Sequence, residues 1–330
     1  MRILLRRILS IRNVYSLRQN NVRLLSSDPQ TNTEKEPAKA EDIKKNIVIE
    51  KFKAVTILNI DRQPTRNSLD EPTLREIEVA LNAFDNDEEA KVLVLNGEGG
   101  SFCSGFDMDD IAEKGYYPLK DAAARLLRRP LCDKPTIAAV TGYAVAEGFE
   151  LALACDLRVI EDTAVLGCLG RRFGVPQSII GARRLTSLIG LSRALDLLMT
   201  GRLISGTEAN QFGLACKLTS TGTALGESIK LAKSLVKFPQ NALIMDKLAA
   251  VNSQLNPNSE ESMRDEAVMN SLLGNAIEDL KVGAKKFQDG IGKHGKFYKL
   301  TEMPLKDWEL EDSVEEITVK EDPEKKDGKP

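Results

Sequence analysis

Residues 148–157, GFELALACDL, constrain this chain more than any other stretch of its sequence. Phe149, Leu151, Ala152, Leu153, Ala154 and Cys155 cover nearly every face of a helix, and a helix apolar all round belongs inside a protein. A buried helix needs layers on both sides of it. Glu150 lies in the middle of this apolar run, where a bare charge is expensive and the carboxyl pKa should rise. Such a glutamate is either a structural group held by an arginine or backbone donors, or a general acid/base poised by desolvation. Glu147, one turn earlier, places a second carboxylate on a similar face.

The layers are legible on either side. Apolar, β-branched runs at 52–60 (FKAVTILNI), 91–97 (KVLVLNG) and 136–142 (TIAAVTG) read as strands, with further strands at 163–167 and 214–220. Between them, helical periodicity places a helix capped by Asp70, with Pro72 in its first turn and Leu74, Ile77, Leu81 and Phe84 on one face. More helices follow at about 119–128, 148–157, 192–200 and 205–212, the last opened by a Ser205/Glu208 capping box, and the chain reads as helical from about 222 to 290. Strands alternating with helices and then a helical C-terminal part indicate an α/β fold.

The 330 residues carry 46 basic and 49 acidic side chains, but the charges are unevenly spread. Residues 1–27 hold six arginines and no acid, with Ile3, Leu4, Ile8 and Ile11 at helical spacing. That is the composition of a mitochondrial transit peptide, and it implies delivery to the matrix. The other 303 residues carry 40 basic against 49 acidic residues, a net charge of −9, which argues against nucleic acid as a partner. Residues 28–45 read as a polar linker and 46–304 as the folded domain; 305–330, with ten acids and five bases, read as an acidic, disordered tail. No run of 18 apolar residues suggests a membrane span.

Several chemistries lose their support. The single histidine, His294, leaves little room for a Ser-His-Asp triad or a His-rich metal site, and we expect no metal. The five cysteines contain no CxxC pair and read as reduced thiols. GEGGSF has Phe102 where GxGxxG needs glycine, and neither a P-loop nor a GxSxG elbow occurs. What remains is the pair of carboxylates and two strand-to-helix turns. The turn before Gly148 and the turn SFCSGFDMDD, where Asp107 can cap the next helix, both expose backbone N–H groups that suit an oxyanion.

In order, SFCSGFDMDDI, KPTIAAVTGYAVAEGFELALACDLRV, RRFGVP and IGLSRALDLLMTGRLISGTEANQFGLACKL resemble the successive signatures of the enoyl-CoA hydratase/isomerase (crotonase) superfamily. DRQPTRNSLD resembles its early loop, so the likeness runs from about residue 50 to 220. The resemblance implies a crotonase-like spiral of ββα units whose helical C-terminal region trimerises, as a homotrimer or a dimer of trimers. It implies an acyl-CoA thioester as ligand, with coenzyme A part of the substrate and no separate cofactor. By motif, Phe106 and Glu147 would supply the oxyanion amides, Ser104, Gly105 and Asp107 would line the same turn, and Glu150 would match one of the hydratases' two catalytic glutamates.

Two residues depart from the pattern. Glu147 stands where the family usually has glycine, so its side chain must point away or crowd the acyl group. Gly170 stands where the second catalytic glutamate would be, leaving Glu147 to replace it or Glu150 to act alone. Hydration of a 2-enoyl-CoA is the leading expectation. Isomerisation or decarboxylation on the same scaffold, and a catalytically impaired acyl-CoA- or partner-binding relative, are the alternatives. Arg171 and Arg172 read as ion-pair partners of surface acids or of Glu147 rather than as a recognition site for a substrate carboxylate, Arg62 and Arg66 as loop residues within reach of CoA phosphates or simply solvated, and Asp156 as a structural group bonded to local backbone or Arg158.

Overall fold

The computed structural model describes residues 46–127, 130–177, 181–255 and 274–289, together with Glu260 and Met263. The proposed transit peptide, linker and acidic tail lie outside the described residues.

Strands β1 (Ile47–Phe52), β2 (Val55–Ile60), β3 (Val92–Gly97), β4 (Thr136–Val140), β6 (Leu157–Glu161) and β9 (Lys217–Thr219) form one sheet in the order β1-β2-β3-β4-β6-β9. All neighbours are parallel except the β1–β2 hairpin. The run 52–60, read as one strand, is therefore two: Phe52 pairs with Val55 across a turn in which Lys53 has φ 55°. β1 was missed because it is an edge strand with only Ile47 buried: its apolar run is three residues long, Ile47, Val48 and Ile49, and gives way to Glu50 and Lys51. β2, β3 and β4 are buried throughout, as parallel strands covered on both faces must be.

Alternate residues of these strands face two separate cores. Val55, Ile57, Val92, Val94, Ile137, Ala139 and Val159 pack against the helix Ala224–Val236. Leu58, Ile60, Leu93, Leu95, Ala138, Val140 and Ile160 face the larger core, which contains the helix Glu71–Asn86 and the apolar helix foreseen at 148–157. That helix, Glu147–Ala154, is buried at every position, and each large side chain it removes from water contributes roughly 1.5–3 kcal/mol.

A second, three-stranded sheet joins β5 (Tyr143–Val145), β7 (Val165–Gly167) and β8 (Leu203–Ser205). The chain passes from β4 to β5 through Gly142 at φ 48°, where a Cβ would lie 2.1 Å from the Gly100 carbonyl oxygen. It then runs through Glu147–Ala154 into β6 and crosses again to β7. This alternation between two sheets is the ββα spiral expected from the motifs.

The caps match the sequence in part. Asp70 accepts from the Thr73 amide at 2.8 Å, and Ser205 accepts from the Glu208 amide at 3.1 Å. The Glu208 carboxylate instead pairs with Arg202 at 2.8 Å, because a guanidinium is a stronger partner than a single amide. Asp156 is structural, but its partners differ from those expected. It accepts from the Thr136 amide (2.7 Å) and hydroxyl (2.8 Å) and pairs with Lys247 at 2.7 Å. Arg158 turns away and donates to the carbonyls of Leu214 and Cys155.

Lys247, on the helix Gln240–Leu255, also donates to the carbonyls of Cys132 and Lys134, so one ammonium ties this helix to the chain entering the central strands β4 and β6. Its side chain is only 8% exposed. Lys247→Ala leaves a partly buried carboxylate and two carbonyls without this donor, and should lower the unfolding free energy by about 3–5 kcal/mol. Urea denaturation should show a lower midpoint at constant slope, whereas a loss under about 0.5 kcal/mol would place the pair among ordinary surface bridges.

Candidate active site

The site is built on two chain reversals that meet. The first is the turn Cys103–Asp107. The amides of Cys103, Ser104 and Asp107 donate to the carbonyls of Tyr143, Arg66 and Leu69, and the Gly105 amide contacts the Cys103 sulfur at 3.5 Å. The Ser104 hydroxyl donates to the Thr65 carbonyl at 2.9 Å. Only the Phe106 amide has no partner within this local backbone network, and it points across to the second reversal.

That reversal is the start of the helix Glu147–Ala154. Ala146 takes the positive φ (52°, ψ −125°), which leaves Glu147 as the first helical residue with its own N–H in need of an acceptor. The positive φ thus falls one residue before Glu147, and Glu147 is free of backbone strain. Of the two courses open to its side chain, it does not take the one that points away. The Glu147 carboxylate folds back over the helix start, where Oε2 accepts from the Phe106 amide at 3.1 Å and the nearby Glu147 amide also favours its charged form. The orphan N–H groups and the positive helix end attract it there. Glu147 is 2% exposed, and its Oε1 receives no hydrogen bond from the described residues. Burial raises the Glu147 pKa, outweighing the two amide donors that favour its charged form.

Gly105 makes this approach possible. At φ 99°, a Cβ there would meet Glu147 Oε2 at 3.0 Å and the Ala146 Cβ at 2.8 Å. Behind the turn, burial pushes the Cys103 thiol up to about 12.

Arg62 fixes the far side of the turn. It pairs with Asp70 and Asp107, each at 3.0 Å, and donates to the Ser68 carbonyl and hydroxyl. It is therefore neither solvated nor directed at a phosphate. Asp107 caps the following helix through the Asp109 amide at 3.1 Å, as expected. Burial alone would raise the Asp107 pKa, but hydrogen bonds from Ser68 and Arg62 prevail and hold it below the ordinary carboxylate range. Sequence reading missed this cluster. Its only signal was an arginine in the same loop as one helix-capping aspartate, with a second capping aspartate 45 residues away from it. Arg66 stacks on Tyr143 at 4.8 Å, while Arg171 and Arg172 are exposed and make no ion pair among the described residues.

Glu150 is fully buried, as its setting demanded. Gly181, which opens the helix Gly181–Ile189, lies directly against it, so that a Cβ there would fall 2.4 Å from the carboxyl carbon. Arg184 on that helix feels the Glu150 charge, and Glu150 and then Glu147 add to the burial that pushes the Cys168 thiol up to about 12. Gly170 sits in the short 3-10 helix Leu169–Phe173. A Cβ there would lie 3.0 Å from the Val175 carbonyl oxygen, 3.3 Å from its Cβ and 3.6 Å from the Ala146 Cβ. A side chain at this position would be tightly packed from its first carbon.

The enoyl-CoA hydratase/isomerase family matches residues 50–290. The chain belongs to that family. It is 32% identical over 244 residues to a probable enoyl-CoA hydratase of Rhizobium meliloti, covering 73% of this chain and 94% of that protein. It is 31% identical over 242 residues to a probable mitochondrial enoyl-CoA hydratase of Dictyostelium discoideum, covering 72% and 86%. Among solved structures, an enoyl-CoA hydratase subunit from Geobacillus kaustophilus superposes with a TM-score of 0.70 at 35% identity, over 76% of this chain and 98% of the other. The family's enzymes share the fold described above, and this protein is an enzyme of that kind.

The buried Glu147 carboxylate has a measurable consequence. Between the ordinary carboxylate value of 4.5 and its raised native value, the folded chain keeps a proton that the unfolded chain has released, so stability falls as pH rises through that window. Glu147→Gln has no such titration. Its stability relative to wild type should therefore increase with pH from about pH 4.5 upward, as read by urea unfolding at a series of pH values. A difference independent of pH would contradict the burial argument.

Proposed function

We propose that this enzyme adds water to 2-enoyl-CoA thioesters. The observation that carries this reading is the Phe106 amide, left over by its own turn and aimed at the start of the helix Glu147–Ala154, where it meets an oxygen of the Glu147 carboxylate at 3.1 Å. In the substrate complex the thioester carbonyl oxygen would take that place. Two fixed donors, the amides of Phe106 and Glu147, would stabilise the charge that develops on it as C2=C3 becomes an enolate, an effect worth roughly 2.7–4 kcal/mol per donor. Ser104, Gly105 and Asp107 would hold the turn against the CoA-proximal part of the ligand. Glu150 takes a proton from water as the water oxygen bonds to C3, then returns a proton to C2. It is the single acid/base in this reading, because Gly170 brings no second carboxylate. Coenzyme A enters as part of the substrate, and no metal is needed.

The same reading places the enzyme in the mitochondrial matrix, on the strength of the acid-free, arginine-rich residues 1–27. It also includes assembly as a homotrimer or dimer of trimers. Leu191, Leu195 and Met199 support this, forming an exposed apolar stripe along one face of the helix Leu191–Thr200.

A second reading, an acyl-CoA-binding relative without turnover, is favoured by Gly170 and by how tightly a side chain there would be packed. Product analysis by mass spectrometry separates the two. Supplied with 2-enoyl-, 3-enoyl- and malonyl-type thioesters, the enzyme should convert the 2-enoyl-CoA to a 3-hydroxyacyl-CoA, and Glu150→Gln should lower kcat by about 10²–10⁴-fold. Wild-type activity in Glu150→Gln would remove Glu150 from the mechanism; binding of every thioester with turnover of none would establish the second reading. For localisation, residues 1–27 fused to a fluorescent reporter should direct it to mitochondria, and a cytosolic signal would reject the targeting.

A further inference from the structure

The Phe106 amide, one of the two donors the proposed function assigns to the thioester oxygen, is already bonded in the resting chain, and the oxygen it bonds belongs to Glu147. We propose that the Glu147 side chain is a resident competitor for the oxyanion site. It must leave before a thioester carbonyl can bind, and it therefore sets the enzyme's affinity for thioesters. This rests on the acyl-CoA reading above but does not depend on which reaction follows.

The geometry supports a competitor that is built in yet displaceable. It is built in because three local features converge on it. Gly105, without a Cβ, lets Oε2 come down onto the Phe106 amide. Ala146 absorbs the positive φ, so that Glu147 begins the helix with its side chain over its own N–H. The other amides of the turn 103–107 are committed elsewhere, which leaves Phe106 to bond the carboxylate. It is displaceable because only one side of the carboxylate is satisfied. Oε2 is bonded, whereas Oε1 is buried and accepts nothing from the described residues. A desolvated acceptor left unbonded costs free energy that is recovered when the side chain swings into water. A thioester oxygen can take over the same two amides without burying a second, unbonded oxygen.

When the competent arrangement is only a fraction of the ensemble, apparent affinity falls by that fraction. The cost falls only on ligands that carry a carbonyl to be placed between the amides. Free coenzyme A presents no such oxygen and does not have to expel Glu147. Glu147 therefore discriminates against the thioester group itself rather than against the nucleotide.

The test is titration calorimetry on the full-length protein with butyryl-CoA, a saturated thioester, and with free CoA. In wild type the two should bind with similar affinity. Glu147→Ala removes the carboxylate and keeps the amide, and the backbone at 147 is helical, so alanine suits it. This variant should bind butyryl-CoA about 10–100-fold more tightly while its affinity for CoA stays the same. Glu147→Gln, which keeps an acceptor oxygen but not the charge, should fall between. It also carries the test if Glu147→Ala does not fold. Equal gains for butyryl-CoA and CoA, or weaker butyryl-CoA binding in both variants, would overturn the proposal. A wild type that already prefers butyryl-CoA tenfold would do the same. If wild type and both variants bind neither ligand, the acyl-CoA reading fails along with the proposal. If the thioester-selective gain appears without hydration of any enoyl-CoA, only the reaction assigned above is wrong.

Discussion

The arrangement of this molecule around its site depends on two backbone N–H groups that the fold cannot satisfy with its own carbonyls. The Phe106 amide is left over because its neighbours in the turn are bonded to Tyr143, Arg66 and Leu69. The Glu147 amide is left over because a helix begins there, and the first amides of a helix have no intrahelical acceptor. An unbonded buried amide is costly, so two of them left over by neighbouring chain reversals call for an acceptor oxygen beside them. The surrounding residues hold that demand in place. Arg62 clamps Asp70, Ser68 and Asp107, Gly105 clears the space for an approaching oxygen, and Ala146 accepts the unfavourable dihedral angle.

The carboxylates answer this demand differently from the family pattern. Glu147 meets it directly with its own side chain. Glu150, one turn further on, is set deeper in the apolar helix, beneath Gly181 and within the influence of Arg184. Gly170 contributes nothing, and a Cβ there would crowd the Val175 carbonyl. Membership of the enoyl-CoA hydratase/isomerase family therefore coexists with a changed distribution of charge around the oxyanion point.

The scaffold tolerates such changes because the site lies at the ends of elements whose stability is secured elsewhere. The parallel strands are covered on both faces, by the helix Ala224–Val236 on one side and the large core on the other. Lys247 joins the helix Gln240–Leu255 to Asp156, at the entry to the central strand β6, through one multiply bonded ammonium. Neither feature touches the two amides.

The sequence by itself determined the strands β2, β3 and β4, the capped helix after Asp70, the buried helix around Glu150, and the identity of the two turns that carry amides. Each of these is set by short-range periodicity or by a capping side chain, which one stretch of chain can express alone. The tertiary structure decided the rest. β1 has only a three-residue apolar run before Glu50 and Lys51, because an edge strand need not be buried along its length. Arg62 and Asp107 find each other across 45 residues, and Asp156 chooses Lys247 over the nearby Arg158. The direction of Glu147 was decided there too. Local sequence shows that its side chain is charged and flanked by apolar neighbours, but its position follows from a vacancy created when two distant turns meet. A vacancy of that kind, defined by what other residues leave unbonded, exists only once the chain has folded.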